Sequence, residues 1–459
     1  MKIKKTLIFM MVSIFTIGLL VGCGSDDPDT DVEDLQEEET LQEDADVEED
    51  VEEDADSSQA SDVTITLLNS KGEITEGLET MAEIYKNQTG VTVEVLPVGT
   101  GESPYTKITG MYSAGNPPTM AILDMLDVVA LGEEKAVDLS NEDWLAEVEG
   151  LTTEVNGTLY SFPFAIEGRG IIYNKTTIED TLGREFDPAT INSYDSFKEL
   201  LEELVDAGME TPVVLSKEDW SLGSHHLQYI YEAKDGTNEG VDEVLDQLLA
   251  GELDLMSYDR FTQFVDTFDL LAEHNINGND PLGAIYDQDP IYLVDGDVAF
   301  WFNGVWAWPN LKDAGATEDA ELGFIPYVLG NDTEDFANTQ LQASSTKELM
   351  VDNEYATEEE KQAALDFINW LVYDEAGQKS IVEDLFIIPA AANNPNSPID
   401  PLGSDLIEHI NSGNTFSALS ILPSDHWTVL GAEMQKYLAG ESTREELATS
   451  IEEYWINQN

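Results

Sequence analysis

Val63-Thr64-Ile65-Thr66-Leu67-Leu68-Asn69-Ser70-Lys71-Gly72 is the stretch from which the fold can be read. Its β-branched and apolar residues run uncharged up to Asn69-Ser70-Lys71-Gly72, the pattern of a strand ended by a turn. Residues 76 to 87 follow with Leu78, Met81, Ala82 and Tyr85 at helical spacing, and Val91-Thr92-Val93-Glu94-Val95 is the next strand. Strand, helix and strand in this order form a βαβ unit, and the crossover rules make a parallel α/β layer the expected outcome. The alternation recurs after Tyr194, where Phe197, Leu200, Leu201, Leu204 and Val205 form a helical stripe before a strand from Pro212 to Leu215. Two α/β lobes are therefore expected. Neither a repeat of fixed period nor a Gly-rich phosphate loop accompanies these elements.

Composition agrees with a folded chain of two or three domains. Of 459 residues, 42% are hydrophobic and 9% aromatic, but 94 acidic against 20 basic residues leave a formal charge of -74. Such a surface cannot replace the counterions of a phosphate backbone, so no nucleic-acid partner is expected. Residues 24 to 61 hold nineteen of the acids, no Lys or Arg and no aromatic residue. A segment of this kind cannot bury enough to fold, and like charges extend it, so it reads as a disordered acidic tether. Its carboxylates lack the Gly-punctuated loop of a calcium site. Residues 62 to 459 retain a net charge of -58, which suits solubility in a salty or alkaline medium.

Lys2, Lys4 and Lys5 precede an apolar run from Leu7 to Gly22, and Cys23 follows. This is the pattern of a secretory signal at residues 1–22, and the run is shorter than the roughly twenty residues of a spanning helix. Leu20-Val21-Gly22-Cys23 resembles a bacterial lipobox, which implies cleavage before Cys23 and diacylglycerol on its sulfur, anchoring the chain on the outer face of the cytoplasmic membrane. No Arg precedes Arg169, which excludes a twin-arginine signal. As the single cysteine, Cys23 also excludes an internal disulfide and any zinc site of paired thiols.

From Gly157 through Tyr160, Pro163, Glu167, Gly168, Arg169 and Gly170 to Tyr173-Asn174-Lys175, two apolar strands flank a charged pair. Pro163 interrupts the first strand and the two glycines loosen the crossing, an arrangement suited to a hinge. The run from Tyr160 to Lys175 resembles the signature of extracellular solute-binding proteins of ABC sugar importers, the group that contains maltose-binding proteins. Asp295-Gly296-Asp297-Val298-Ala299-Phe300-Trp301-Phe302-Asn303-Gly304-Val305-Trp306-Ala307-Trp308 strengthens the resemblance, as do Gly323-Phe324-Ile325-Pro326, Phe367-Ile368-Asn369-Trp370-Leu371 and Ile388-Pro389-Ala390. The resemblance covers residues 62 to 459. It implies a two-lobed periplasmic-binding-protein-like fold with an interlobe ligand cleft. Lobes of 62–166 plus 335–388 and 167–334 plus 389–459 are expected, with hinge crossings near Ile166–Gly170, Tyr327–Asn338 and Phe386–Asn393.

Carried over residue by residue, the resemblance places Trp306 under a sugar ring and Glu167 on sugar hydroxyls. Glu218-Asp219-Trp220 matches a Glu-Pro-aromatic stretch, and His426-Trp427 lies where another stacking Trp belongs. Trp220, Trp306 and Trp427 would offer flat apolar faces while Glu167 and Glu218 accept hydroxyl hydrogen bonds, a division of labour that suits pyranose rings. Trp301 and Trp308 read as core. In the amino-terminal lobe the chain departs from the family: Pro117-Pro118 leads to Leu123-Asp124-Met125-Leu126-Asp127 without the family's Trp and Arg. Asp124, Asp127, Asn69 and Lys71 are the candidates there. Malto-oligosaccharide is the first expected ligand, other oligosaccharides or a non-sugar solute the alternatives, and an ABC permease the expected partner of a monomeric receptor.

A glycoside hydrolase is the competing class, since Glu167 and Glu218 could flank a glycosidic bond. The chain lacks Gly-x-Ser-x-Gly and His-Glu-x-x-His, and its five His show no metal spacing. No enzyme activity, cofactor or metal is expected.

Overall fold

The computed structural model describes residues 63–99 and 102–458. The expected signal segment, the Cys23 lipidation site and the acidic tether lie outside them. Strand β1 (Thr64–Asn69) pairs in parallel with β2 (Thr92–Pro97), Thr64 opposite Thr92. The helix between them, Thr75–Thr89, buries Leu78, Met81, Ala82 and Tyr85, the four residues that set its period. β3 (Met120–Asp124) adds to the other edge of β1, also in parallel. The βαβ opening thus forms as its hydrophobic pattern requires.

A small hairpin of β4 (Glu154–Val155) and β5 (Thr158–Leu159) precedes the long strand β6 (Ser161–Asn174). After it come β7 (Val213–Val214), β8 (Phe300–Gly304), β9 (Leu322–Ile325), β10 (Leu341–Val351), β11 (Ile388–Pro389) and β12 (Thr415–Phe416). The main sheet runs β2-β1-β3-β10-β6-β8-β7, with β9 and β11 also on β6 and β12 on β10. Parallel pairs lie at both ends, and antiparallel pairs join them through the middle.

This sheet carries two cores. Ile65, Leu78, Met81, Phe162, Phe367 and Ile368 pack together on the amino-terminal side. Phe197, Leu201, Val213, Phe264, Phe300 and Tyr327 form the other, flanked by a cluster around Trp301 and Trp308. These are the two lobes. The helix Tyr194–Ala207 buries Phe197, Leu200, Leu201 and Leu204 and starts with a reciprocal cap between Ser193 and Ser196, so side-chain hydroxyls meet its orphan N–H groups.

The first crossing falls within the expected Ile166–Gly170 but is not a broken or loosened strand. β6 is one continuous strand of 14 residues that pairs with β10 over its first half and with β8 and β9 over its second. Pro163 does not break it. The proline faces Glu348, where the β10 register shifts, a position where a missing N–H disrupts no regular ladder. Nor do the glycines loosen the chain: a Cβ on Gly170 would stand 2.7 Å from the Ile325 carbonyl oxygen, so its role is close approach. The second crossing lies in β10, which pairs with Arg169 at Gln342 and with β3 from Lys347 onward. The expected crossing at Tyr327–Asn338 instead packs in the carboxyl-terminal core, where the Asn338 side chain bonds the Leu329 backbone. After β11, Ala390 and Ala391 still pack on the amino-terminal core, and Leu402 is the next residue packed beside Trp301.

Candidate functional site

A cavity of about 1010 Å³ opens between the lobes. Lys71, Asp124, Asp127 and Glu167 line it, and so do Glu218, Trp220, Trp306 and Trp427. Asn69 does not, which corrects its expected role. Its amide donates to the Lys71 carbonyl and the Thr75 hydroxyl while its oxygen accepts from Lys71 N–H, so it builds the turn that carries Lys71.

Strand ends position the aromatic wall. β8 ends at Asn303-Gly304, and the Trp306 ring lies so close to the chain there that a Cβ on Gly304 would come within 2.2 Å of it. The Asn-Gly-x-Trp spacing is thus a packing requirement. Trp301 and Trp308, on either side, are fully buried as expected. Trp220 opens a π-helical turn, Ser221–His226, and the His225 ring fills the space between Trp220, at 5.2 Å, and Trp306, at 4.6 Å. Tyr286 stands edge-on to Trp220 at 5.2 Å. Trp427 comes from the first turn of the helix His426–Leu438. Burial, and after it the Arg169 charge, holds the His225 pKa well below the usual histidine range. The ring therefore serves as a neutral spacer.

Another part of the lining, adjoining Trp306, is ionic. The Lys71 ammonium lies 2.6 Å from Glu167 Oε1 and 2.7 Å from Glu73 Oε1, and the Thr346 hydroxyl donates to Glu167 Oε2. Burial alone would raise the Glu167 pKa, but the Lys71 and Lys347 charges outweigh it and the pKa is lowered. Lys347 is held 2.6 Å from Asp124. Asp127, one helical turn beyond, has its pKa raised by burial and then by the Asp124 charge. Across the cleft Glu218 is also raised, by burial first, and its Oε2 is buried with no hydrogen-bond partner.

Arg169 was not among the expected site residues. Its guanidinium bonds the His225 carbonyl, Gln342 Oε1 at 2.5 Å and the buried Glu232, and it lies 5.0 Å over the Tyr229 ring. It joins both hinge strands to the turn that carries Trp220. Lys347, His225 and Tyr286 were missed as well; the partner of Lys347, Asp124, lies 223 residues away and leaves no local signal. The Glu167-Gly168-Arg169 run was the one signal pointing to Arg169. Among the described residues no His, Cys, Asp and Glu side chains group to hold a metal, and no helix is long and apolar enough to cross a membrane.

Solved structures share this architecture. The solute-binding protein RafE, in complex with raffinose, superposes with a TM-score of 0.71 at 20% identity, covering 86% of this chain and 99% of its own. A sugar transporter from Bacillus licheniformis, in complex with stachyose, gives 0.68 at 18% identity over 86% and 100%. A chitin oligosaccharide binding protein gives 0.67 at 19% over 86% and 98%. At these identities the likeness is one of fold. No curated protein matches the sequence significantly. The sequence pattern of the family described as bacterial extracellular solute-binding protein matches residues 80–400, most of the folded chain. This chain belongs to that family, whose members bind solutes rather than transform them.

Proposed function

We propose that the chain is the extracellular receptor of an ABC importer, that it captures an oligosaccharide between its lobes, and that it delivers the sugar to a membrane permease. The observation that carries this reading is the wall of Trp220, Tyr286 and Trp306 beside carboxylates in one interlobe cavity. A pyranose has apolar C–H faces and a rim of hydroxyls, and such a wall meets both. The sugars named for RafE, the Bacillus licheniformis protein and the chitin oligosaccharide binder favour the same class. Malto-oligosaccharides head the panel because of the motif around Trp306. Contacts from both lobes would favour the closed form, since a ligand shifts an equilibrium by its differential affinity for the two states.

Calorimetry with malto-, raffinose-family, manno- and chito-oligosaccharides tests this, with micromolar binding, about -8 kcal/mol, expected for the cognate sugar. Recovery of that sugar uncut after long incubation separates a receptor from a hydrolase. A fall in radius of gyration on binding would report closure. The reading also includes a lipid anchor at Cys23, tested by partitioning of Cys23→Ser into the medium.

A further inference from the structure

The cations of the cleft are already neutralised. Lys71 is paired with Glu167 and Glu73, Arg169 with Glu232, and Lys347 with Asp124. Carboxylates on both walls have no such partner. Glu218 lines the cavity beside Trp220, and its buried Oε2 has no hydrogen bond. The charges that act on it are Lys217, whose Nζ is turned to the Leu282 carbonyl, and Asp219, while its other oxygen faces backbone amides; Asp289, with Oδ1 also buried and unpartnered, lies near it, and Asp287 is on the cavity rim. On the facing wall Asp127 lines the cavity at 7% exposure without an ion pair of its own, the nearby Lys347 being held by Asp124. A carboxylate that is dehydrated and unpaired is costly, and a neutral hydroxyl offsets that cost less than a charged donor does. A cleft in which carboxylates outnumber cations also concentrates ions of positive sign. The rings of Trp220 and Tyr286, edge to face with centroids 5.2 Å apart and in the same lining as Glu218, add the quadrupole attraction that a ring face holds for an ammonium group.

We propose that the cleft selects an oligosaccharide bearing a basic amine, and that Glu218 holds the ammonium against Trp220 and Tyr286. This rests on the sugar-receptor reading and narrows its ligand class. Asp287 on the rim reinforces the negative potential, and Asp127 supplies a second seat for a ligand with more than one amine.

The test compares glucosamine oligosaccharides with their N-acetylated counterparts and with malto-oligosaccharides of equal length, by calorimetry on the parent protein and on Glu218→Gln. The expected result is a preference of about tenfold or more for the free amine, reduced at high salt, narrowed in Glu218→Gln and retained in Glu218→Asp. Glu218→Gln should weaken binding of the free-amine series more than binding of the neutral sugars, so the preference narrows. Equal or tighter binding of the neutral or N-acetylated series would overturn the proposal and leave the sugar-receptor reading standing, whereas failure of every sugar to bind would overturn both. A preference unchanged in Glu218→Gln would refute the assigned seat. If that variant does not fold, the salt dependence of the amine preference in the parent decides, and a preference insensitive to salt counts against the proposal.

Discussion

Lys71, in the turn after β1, places its ammonium 2.6 Å from Glu167 at the middle of β6, so a buried ion pair joins the amino-terminal lobe to the strand that crosses into the other. Both side chains are almost fully buried. Attraction between such charges does little more than offset their desolvation, but removal of one leaves the other unpaired at high cost. Lys71→Met should therefore destabilise the fold by about 3 to 5 kcal/mol, and adding Glu167→Leu should restore much of the loss. Urea unfolding of the two single variants and the double variant gives the coupling. Additive losses would show that the pair is not the linkage described.

Trp306→Ala and Trp220→Ala should each weaken binding of the cognate sugar by about 1 to 3 kcal/mol with folding retained. Both rings line the cavity and neither is fully buried. Gly304→Ala should act like Trp306→Ala, because the added methyl must displace the indole. Calorimetry checks all three, and affinity equal to that of the parent in any one removes that residue from the platform.

Glu348, wholly buried in β10, accepts from Ser161 through Oε2 and leaves Oε1 unpaired, and burial pushes its pKa from 4.5 up to about 8. Between those values the folded chain keeps a proton that the unfolded chain releases. The contribution is thus full below pH 4.5 and is lost as pH rises through about 8, at up to roughly 1.4 kcal/mol per pH unit. Glu348→Gln should flatten the stability profile across this window. Parallel profiles for parent and variant, measured by chemical unfolding, would contradict the assignment.

The net charge of -58 on residues 62 to 459 makes salt a stabiliser. As the Debye length falls from about 30 Å at 0.01 M to about 3 Å at 1 M, repulsion among surface carboxylates is screened and the melting temperature should rise by several degrees. Affinity for a neutral sugar should change far less. A melting temperature flat across this range would remove the link between acidity and a salty medium.

Local pattern determined a good deal by itself. The period of Leu78, Met81, Ala82 and Tyr85 produced the helix Thr75–Thr89, because burying that one stripe requires that one period. The Asn-Gly-x-Trp spacing set Trp306 against the strand end at the cavity, because strand end and close-packed ring lie within four residues. Tertiary structure decided the rest. Pro163 and Gly170 carry the local marks of a break, yet pairing with β10, β8 and β9 holds both in one strand, since ladder bonds and packing from distant segments outweigh local propensity. Asn69 has the chemistry of a sugar ligand, but its hydrogen bonds are taken by its own turn. Arg169, Lys347 and His225 acquire their roles only where chain segments far apart in sequence converge. Hydrophobic period is a near-neighbour property that a sequence displays, whereas the pairing of a charge depends on which distant group the fold brings within about 3 Å of it.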